Sequence, residues 1–206
     1  MLLAMGNRED LLAGAKRCLI EKGYARTTAR DIAAASGVSL AAIGYHFGSK
    51  DALMNQAVFE SVGEWGEELQ RVLTAEGGHD VAPLQRFELI MRQTLAAFGG
   101  PTGGLWRAQL ELVPLAQHNE QLHAFLAGIQ DFAASGLAEL FLGISPAEDP
   151  HAARAAGAVL HSFFVGLMAK YFIDPASAPT ARELADGLRI VAERMQESGD
   201  ARPRHG

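Results

Sequence analysis

The sequence is poor in cysteine, and its single thiol, Cys18, excludes a disulfide within the chain. One thiol fits a reducing compartment, and we expect Cys18 to be a small buried residue of a helix. The opening segment MLLAM has no basic stretch before it and is too short for the apolar core of a secretion signal. We therefore expect no export signal and a cytoplasmic location.

Long hydrophobic runs are also scarce. The longest uncharged apolar run, at 155–169, is shorter than the roughly 20 residues that a membrane-spanning helix needs, and it contains His161. The run extends to about residue 172 as a helix that is apolar nearly all round, and such helices are usually buried. We therefore expect a core helix here, and no membrane as a partner.

Basic residues are fewer than acidic ones, so the net charge is −6, but the basic residues are unevenly distributed along the chain. Residues 1–50 contain seven Lys and Arg against four acidic residues, a net charge of +3, and the rest of the chain is strongly acidic. A basic first quarter on an acidic body is compatible with a nucleic-acid-binding head, although this charge alone is a weak indication.

No segment alternates as a strand, and apolar residues recur at helical spacing throughout. Gly and Pro clusters at 76–83, 99–104, 145–150 and 174–180 divide these segments. The pattern predicts about nine helices and an all-α fold. We expect a three-helix head at 1–50 and a larger helical domain for effector binding and dimerisation at 51–206.

Local signals define the first four helices. Gly23 is predicted to end the first, and Thr28 with Asp31 forms a near capping box that begins the second. Ser39 is predicted to cap a third helix at 40–47, and Ser49 a long fourth helix towards Leu73. Two short helices joined by a tight turn that contains glycine are typical of a helix-turn-helix.

Further helices are predicted at 84–98, at 105–117 with Pro114 kinking or ending it, between Asn119 and Gly143, and at 181–197.

The predicted outward face of the third helix is almost uncharged and comprises Leu40, Ala41, Ala42, Gly44, Tyr45 and, in part, His46. Small side chains allow a helix to enter the major groove, which is about 12 Å wide.

Phosphates can be held by groups without formal charge, because hydroxyls and helix N-termini also donate hydrogen bonds to them. The hydroxyls available in the head are those of Thr27, Thr28, Ser39 and Tyr45. Cations flank the third helix, with Arg26 and Arg30 before it and Lys50 after it. These residues favour double-stranded DNA as the partner of the head.

The segment YARTTARDIAAASGVSLAAIGYHFGSKDAL, residues 24–53, resembles the tetracycline-repressor (TetR-like) family of bacterial regulators. The resemblance covers about the first quarter of the chain, and each short piece of it is common while the ordered run is specific. It implies that Thr28 and Lys50 hold phosphate, that Ser39 caps the third helix and touches phosphate, and that Tyr45 and His46 contact DNA. Gly44 departs from the family pattern, which usually has an aromatic residue there.

The resemblance also implies a homodimer formed through the last two helices and a small-molecule effector held among the middle ones. Apolar residues of the last two helices that fit an interface are Phe163, Phe164, Met168, Tyr171, Leu184, Leu188, Val191 and Met195. Candidate effector residues are Phe87, Met91, Trp106, Gln109, Leu110, Phe125 and Phe164. Because no cluster of cations occurs there, we expect a largely apolar effector.

An enzyme and a structural helical protein are the alternatives. His118, Glu120 and His123 lie close together, but two His five positions apart do not share a helix face as an i, i+4 metal pair would. The sequence has no nucleophile elbow, P-loop or CxxC motif, so we expect no catalytic residues, metal or cofactor. The favoured function is a ligand-responsive repressor that binds a palindromic operator as a homodimer, while activation stays open.

Overall fold

Nine α-helices make up the described part of the chain. The structure is a computed structural model, and it describes the backbone of residues 2–77 and 80–200. The helices are α1 (Leu2–Lys22), α2 (Ala29–Ser36), α3 (Leu40–Phe47), α4 (Lys50–Ala75), α5 (Pro83–Gly99), α6 (Gly103–Ala116), α7 (Glu120–Leu142), α8 (Pro150–Ile173) and α9 (Ala181–Asp200), with a short 3₁₀ helix at Pro175–Ser177. The predicted all-α fold is confirmed.

Most predicted helix ends are confirmed because local chemistry determines them. The backbone N–H of Asp31 donates to the Thr28 hydroxyl, and the Thr28 N–H donates to the Asp31 carboxylate, which completes the capping box. Ser49 and Asn119 accept from the backbone at the starts of α4 and α7. Gly23 follows α1 with a φ of 81°, in the left-handed region that favours glycine.

One prediction about helix ends needs correction. Ser39 occupies the N-cap position of α3 in extended backbone, but its side chain makes no capping hydrogen bond. Pro114 lies inside α6, which ends two residues later at Ala116, close to the predicted end at 117. The prolyl ring has no N–H to donate to the Leu110 carbonyl and crowds that carbonyl, so it disfavours further helix.

The head, formed by α1, α2 and α3, shares its hydrophobic core with the body. Buried residues of the head pack in one cluster with buried residues of α4, α6 and α7. Among them are Leu11, Leu19, Ile32 and Ile43 of the head, Leu53, Met54, Ala57 and Val58 of α4, Leu105, Ala108, Leu112 and Ala116 of α6, and Leu122 and Ile129 of α7. Cys18 is buried in the same cluster, as predicted. The head is therefore mechanically connected to α6 as well as to α4.

A second hydrophobic cluster holds the body together. It contains buried residues of α4 to α9, among them Leu69, Ile90, Trp106, Phe164 and Ala185. Gly157 of α8 lies so close to α7 that a Cβ built on it would collide with the Ala134 carbonyl oxygen. This glycine is therefore a packing residue within one chain.

The prediction that α8 is buried all round is wrong for the single chain. Phe164, Leu167 and Met168 are buried, but Val159 is 71% exposed and Ile173 is 85% exposed. By length and composition alone, α7 and α8 are apolar enough to cross a membrane. Helices of soluble proteins pass the same criterion when another surface covers them.

Candidate nucleic-acid interface and effector cavity

The α2–turn–α3 unit is held by a small set of apolar contacts. Ile32 of α2 and Ile43 of α3 are buried in the shared core. Gly37, in the left-handed region with a φ of 72°, turns the chain between the two helices and donates its N–H to the Ala33 carbonyl. Phe47 is partly buried against the core, with the Arg8 guanidinium 5.1 Å from its ring centroid. These contacts fix which face of α3 points outward.

The outward face of α3 is the one expected from the sequence. Leu40 is 49% exposed and Tyr45 is 82% exposed, while Ala41 and Gly44 are also exposed. A Cβ built on Gly44 meets no atom within 4 Å, so an aromatic side chain at this position would project into open space.

The two other residues predicted for this face are half-buried. Ala42 packs partly against the core, and the His46 ring meets the Tyr45 ring edge-on at 4.8 Å. The His46 side chain therefore reaches solvent only in part, next to the fully outward Tyr45.

Thr27 does not have the accessible hydroxyl that the sequence suggested. The residue is 2% exposed, and its hydroxyl donates to the Gly23 carbonyl at 2.7 Å, with the Cys18 carbonyl at 3.3 Å. The Gly23 carbonyl lies just after α1, where no following turn of helix can satisfy it. Thr27 therefore joins α1 to the start of α2 and offers no side-chain donor to a phosphate in this conformation.

Thr28 and Ser39 remain on the surface at the starts of α2 and α3. The Thr28 hydroxyl donates to the Asp31 carboxylate at 2.7 Å, whereas the Ser39 hydroxyl makes no capping bond. The Ser39 hydroxyl is therefore available to an external acceptor, and Thr28 must exchange its present partner to bind one.

Asp31 is held ionised by its neighbours. Lys22 donates to its carboxylate at 2.6 Å, and the backbone N–H and hydroxyl of Thr28 donate to it as well. These hydrogen bonds lower the pKa of Asp31 far below its ordinary value. The ion pair and the capping box thus connect the end of α1 to the first turn of α2.

Lys50 lies where α3 leads into α4. Its ammonium is 2.8 Å from the Asp51 carboxylate, 3.5 Å from the Thr27 carbonyl oxygen and 5.5 Å from the centroid of the Tyr24 ring. Its side chain is 28% exposed. Lys50 is thus positioned beside the turn into α2, with one carboxylate competing for its charge.

A cavity of about 420 Å³ lies between α4, α6, α7 and α8. This volume falls within the range of roughly 300–1,000 Å³ found for small-molecule sites. Four of the predicted effector residues line it, namely Trp106, Gln109, Leu110 and Phe164. Rings of Trp65, Trp106 and Phe164 meet each other at centroid distances of 4.9 to 5.7 Å.

The other three predicted effector residues lie away from the cavity wall. Phe87 packs against Phe141 and Phe163, and Met91 is buried in the same cluster of the body. Phe125 packs partly against the core shared with the head. All three are placed as ordinary core residues.

Sequence reasoning missed the contributions of α4 and most of α7. Trp65 of α4 and Phe132 of α7 line the cavity, together with the small residues Gly63, Gly66 and Gly136. A tryptophan flanked at short spacing by two helical glycines was a usable signal, because glycines leave space beside a large ring. The sequence analysis named no effector residue on α4.

The cavity wall is mostly apolar, but Glu67, Gln70, Gln109, Gln130, Glu139 and His161 also line it. The indole N–H of Trp106 and the amide nitrogen of Gln109 are buried without a hydrogen-bond partner. His161 is partly buried, and burial lowers its pKa below the ordinary value of 6.5, so its ring is neutral at pH 7. Within the described residues, no group of three or more His, Cys, Asp or Glu side chains is arranged to hold a metal.

Residues 11–57 match the sequence profile of bacterial regulatory proteins of the tetR family. The chain is 43% identical over 49 residues to the HTH-type transcriptional repressor AcnR of Corynebacterium efficiens, covering 24% of this chain and 26% of AcnR. It is 37% identical over 81 residues to the HTH-type transcriptional regulator TtgR of Pseudomonas putida, covering 39% of this chain and 37% of TtgR. These matches therefore span well under half of each relative.

Solved structures extend the similarity to most of the chain at the level of the fold. A TetR transcription regulator from Haloarcula marismortui superposes with a TM-score of 0.61 at 19% identity, over 91% of this chain and 95% of that one. The multidrug binding protein EbrR, complexed with imidazole, superposes with a TM-score of 0.60 at 23% identity, over 88% of each chain.

The head matches the pattern of helix-turn-helix regulators, and the chain has the fold of solved transcription regulators. The sequence match to the tetR family covers residues 11–57, and the similarity over most of the chain is one of fold.

Proposed function

We propose that this protein is a repressor that binds a palindromic operator as a homodimer and responds to a small molecule held in the cavity. The observation that carries the proposal is the exposed, slim and uncharged face of α3 on a firmly packed helix-turn-helix. The proposed domains are a DNA-binding head at 1–50 and an effector-binding and dimerisation body at 51–206, connected through one core. A cytoplasmic location is part of the same proposal.

The proposed DNA contacts divide by role. Leu40, Ala41, Ala42, Gly44 and Tyr45 enter the major groove, where small side chains allow close approach and contact with thymine methyls. Phosphates are bound by Thr28, Ser39, His46 and Lys50 at the edges of that face, since such contacts position a protein without reading sequence. We omit Thr27 from the contacts because its hydroxyl is buried.

The proposed dimer uses the exposed apolar residues of α8 and α9. Val159, Phe163, Leu188, Val191 and Met195 are all large, apolar and at least one-third exposed. Large exposed apolar side chains on two successive helices favour an interface. A two-fold dimer places its two α3 helices in major grooves one helical turn apart or a multiple of it, which is why the operator should be palindromic.

The proposed response to ligand runs through α4 and α6, since both helices line the cavity and pack in the core of the head. EbrR, which has the same fold, is a multidrug binding protein, and this similarity supports a small-molecule site here. A ligand changes operator affinity only if it binds the DNA-competent and DNA-incompetent arrangements unequally.

Two substitutions test the DNA-binding role. Genomic fragments enriched by the purified protein would provide the operator, and fluorescence anisotropy would measure its affinity across a series of salt concentrations. Lys50→Ala should weaken binding to all DNA and lower the log–log salt slope by about two for a dimer, at about 0.9 per lost phosphate contact. Tyr45→Ala should weaken operator binding about tenfold or more while affecting random DNA less.

Lys170→Ala is the matched control, because this lysine lies in the last turn of α8 in the body. It should leave both the affinity and the salt slope unchanged. An unchanged salt slope for Lys50→Ala would remove its phosphate role, and an unchanged operator affinity for Tyr45→Ala would remove that residue from the interface.

A further inference from the structure

The cavity wall carries negative charge and no compensating positive charge. Glu67 of α4 and Glu139 of α7 both line it, whereas no Lys or Arg stands among the described residues of the wall. Both glutamates are exposed, and neither forms an ion pair with a described residue. His161 adds no positive charge at pH 7, because burial lowers its pKa. An anion entering this site would meet repulsion without any compensating contact.

Aromatic faces supply a second attraction for positive charge. Trp65, Trp106, Phe132 and Phe164 line the cavity, and Phe132 is half-exposed. The face of an aromatic ring attracts a cation within about 6 Å of its centroid, and the attraction grows when the cation is removed from water. Rings and carboxylates in one cavity therefore favour the same kind of ligand.

Two buried donors point towards a different chemistry. The Trp106 indole N–H and the Gln109 amide have no partner, and a neutral ligand with an oxygen acceptor would satisfy them. Both nitrogens are buried, however, so a ligand reaches them only after side chains move. The carboxylates of Glu67 and Glu139 are on exposed residues and need no such movement. The accessible groups therefore favour a cation over a neutral acceptor.

We infer that the effector of this cavity is an organic monocation with a large apolar or aromatic body. The inference rests on the proposed function of the cavity as an effector site, and it names the chemical class of that effector. Apolar burial provides most of the affinity, and the two carboxylates with the aromatic faces select positive charge.

Three probes of similar chemistry and different charge test this inference on the full chain. They are tetraphenylphosphonium, a cation; triphenylphosphine oxide, a neutral acceptor; and tetraphenylborate, an anion. The chain has two tryptophans, Trp65 and Trp106, and both line the cavity, so intrinsic fluorescence reports on this site. We expect the cation to bind about tenfold more tightly than the neutral probe and the anion to bind weakest.

Matched variants assign the selectivity to the two carboxylates. Glu67→Gln and Glu139→Gln should each weaken binding of the cation about fivefold and leave the neutral probe within about twofold. Glu68→Gln is the control, because Glu68 adjoins Glu67 in sequence, pairs with Arg71 and does not line the cavity. Equal losses of cation affinity in Glu67→Gln and Glu68→Gln would show that the acidic surface in general attracts the cation. This result would overturn the inference.

Operator binding, measured in parallel, separates the inference from the proposed function. Tighter binding of triphenylphosphine oxide that also releases DNA would support a ligand-responsive repressor and overturn the cationic class. Selective binding of the cation without any effect on DNA would support the class of ligand and contradict the proposed response. Binding of none of the probes would overturn the inference.

Discussion

Gly44 is the residue at which the head departs from the tetR-family pattern that it resembles, and the structure gives the departure a physical meaning. The residue lies on the exposed face of α3, and nothing within 4 Å would oppose a side chain there. Glycine loses more backbone freedom on folding than any other residue, so it weakens the helix that carries Tyr45. The α3 helix is therefore less rigid than it would be with alanine.

Replacement of Gly44 by Ala should stabilise the protein by about 0.5–1 kcal/mol, because the methyl group meets open space and restricts the unfolded chain. Urea unfolding followed by circular dichroism would measure the change. A loss of stability would show that position 44 has an unfavourable contact that the structure does not contain.

Asp31 predicts a pH dependence of stability with a definite sign. Its pKa is lowered on folding, so its ionised form stabilises the native state above its ordinary pKa of 3.8, and this stabilisation is lost as the pH falls below that value. The wild-type protein should have a higher thermal unfolding midpoint than Asp31→Asn at pH 7, and this difference between the midpoints should shrink in strong acid. Asp10→Asn, which changes an exposed carboxylate of α1, should show no such trend.

At the scale of the element, α6 is one of the helices that both line the cavity and pack in the core of the head. Trp106, Gln109, Leu110 and Val113 line the cavity, whereas Leu105, Ala108 and Leu112 pack in the core of the head. Gly104 lies directly against α1, since a Cβ built on it would collide with the Ile20 carbonyl oxygen. A shift of α6 on ligand binding would therefore reach the end of α1, where Lys22 and Thr27 contact the start of α2.

Replacement of Gly104 by Ala tests the contact between α6 and α1. It adds one methyl group, as Gly44→Ala does at an open position. Here the methyl collides with the backbone of α1, and overpacking of this kind costs about 1–3 kcal/mol. Chemical denaturation should show a loss of stability, and operator affinity should change as α1 moves. Gly128→Ala, on an exposed position of α7 with nothing within 4 Å, is the control and should not destabilise. An unchanged free energy of unfolding for Gly104→Ala would show that the contact between α1 and α6 accommodates the added methyl group at little cost.

At the scale of the whole molecule, the exposed apolar residues of α8 and α9 decide whether one chain is the functional unit. Val191 is 54% exposed and Met195 is 73% exposed on a helix whose opposite face packs through Ala181 and Ala185. The double change Leu188→Glu with Val191→Glu should yield a monomer in sedimentation velocity and lose most operator affinity, because a single head makes half of the contacts.

Arg182→Glu changes an exposed polar position at the start of the same helix and should leave the dimer intact. A monomeric wild type at micromolar concentration would contradict the two-fold arrangement. A dimeric double variant would place the interface elsewhere on the molecule.

The sequence by itself determined those features that depend on near neighbours in the chain. The capping box of Thr28 and Asp31, the left-handed Gly23 and Gly37, and the outward face of α3 all follow from local hydrogen bonds and helical spacing. Caps and glycine turns act within a few residues, so a single sequence contains the whole of their cause.

Only the tertiary structure decided the features that depend on distant parts of the chain. It buried Thr27 against the end of α1, left one side of α8 exposed, and brought Trp65 of α4 beside Trp106 of α6. Which apolar residue becomes core, cavity wall or uncovered surface depends on how the helices pack. An apolar pattern at helical spacing predicts only that one face of a helix is buried, and tertiary packing determines which other element covers that face.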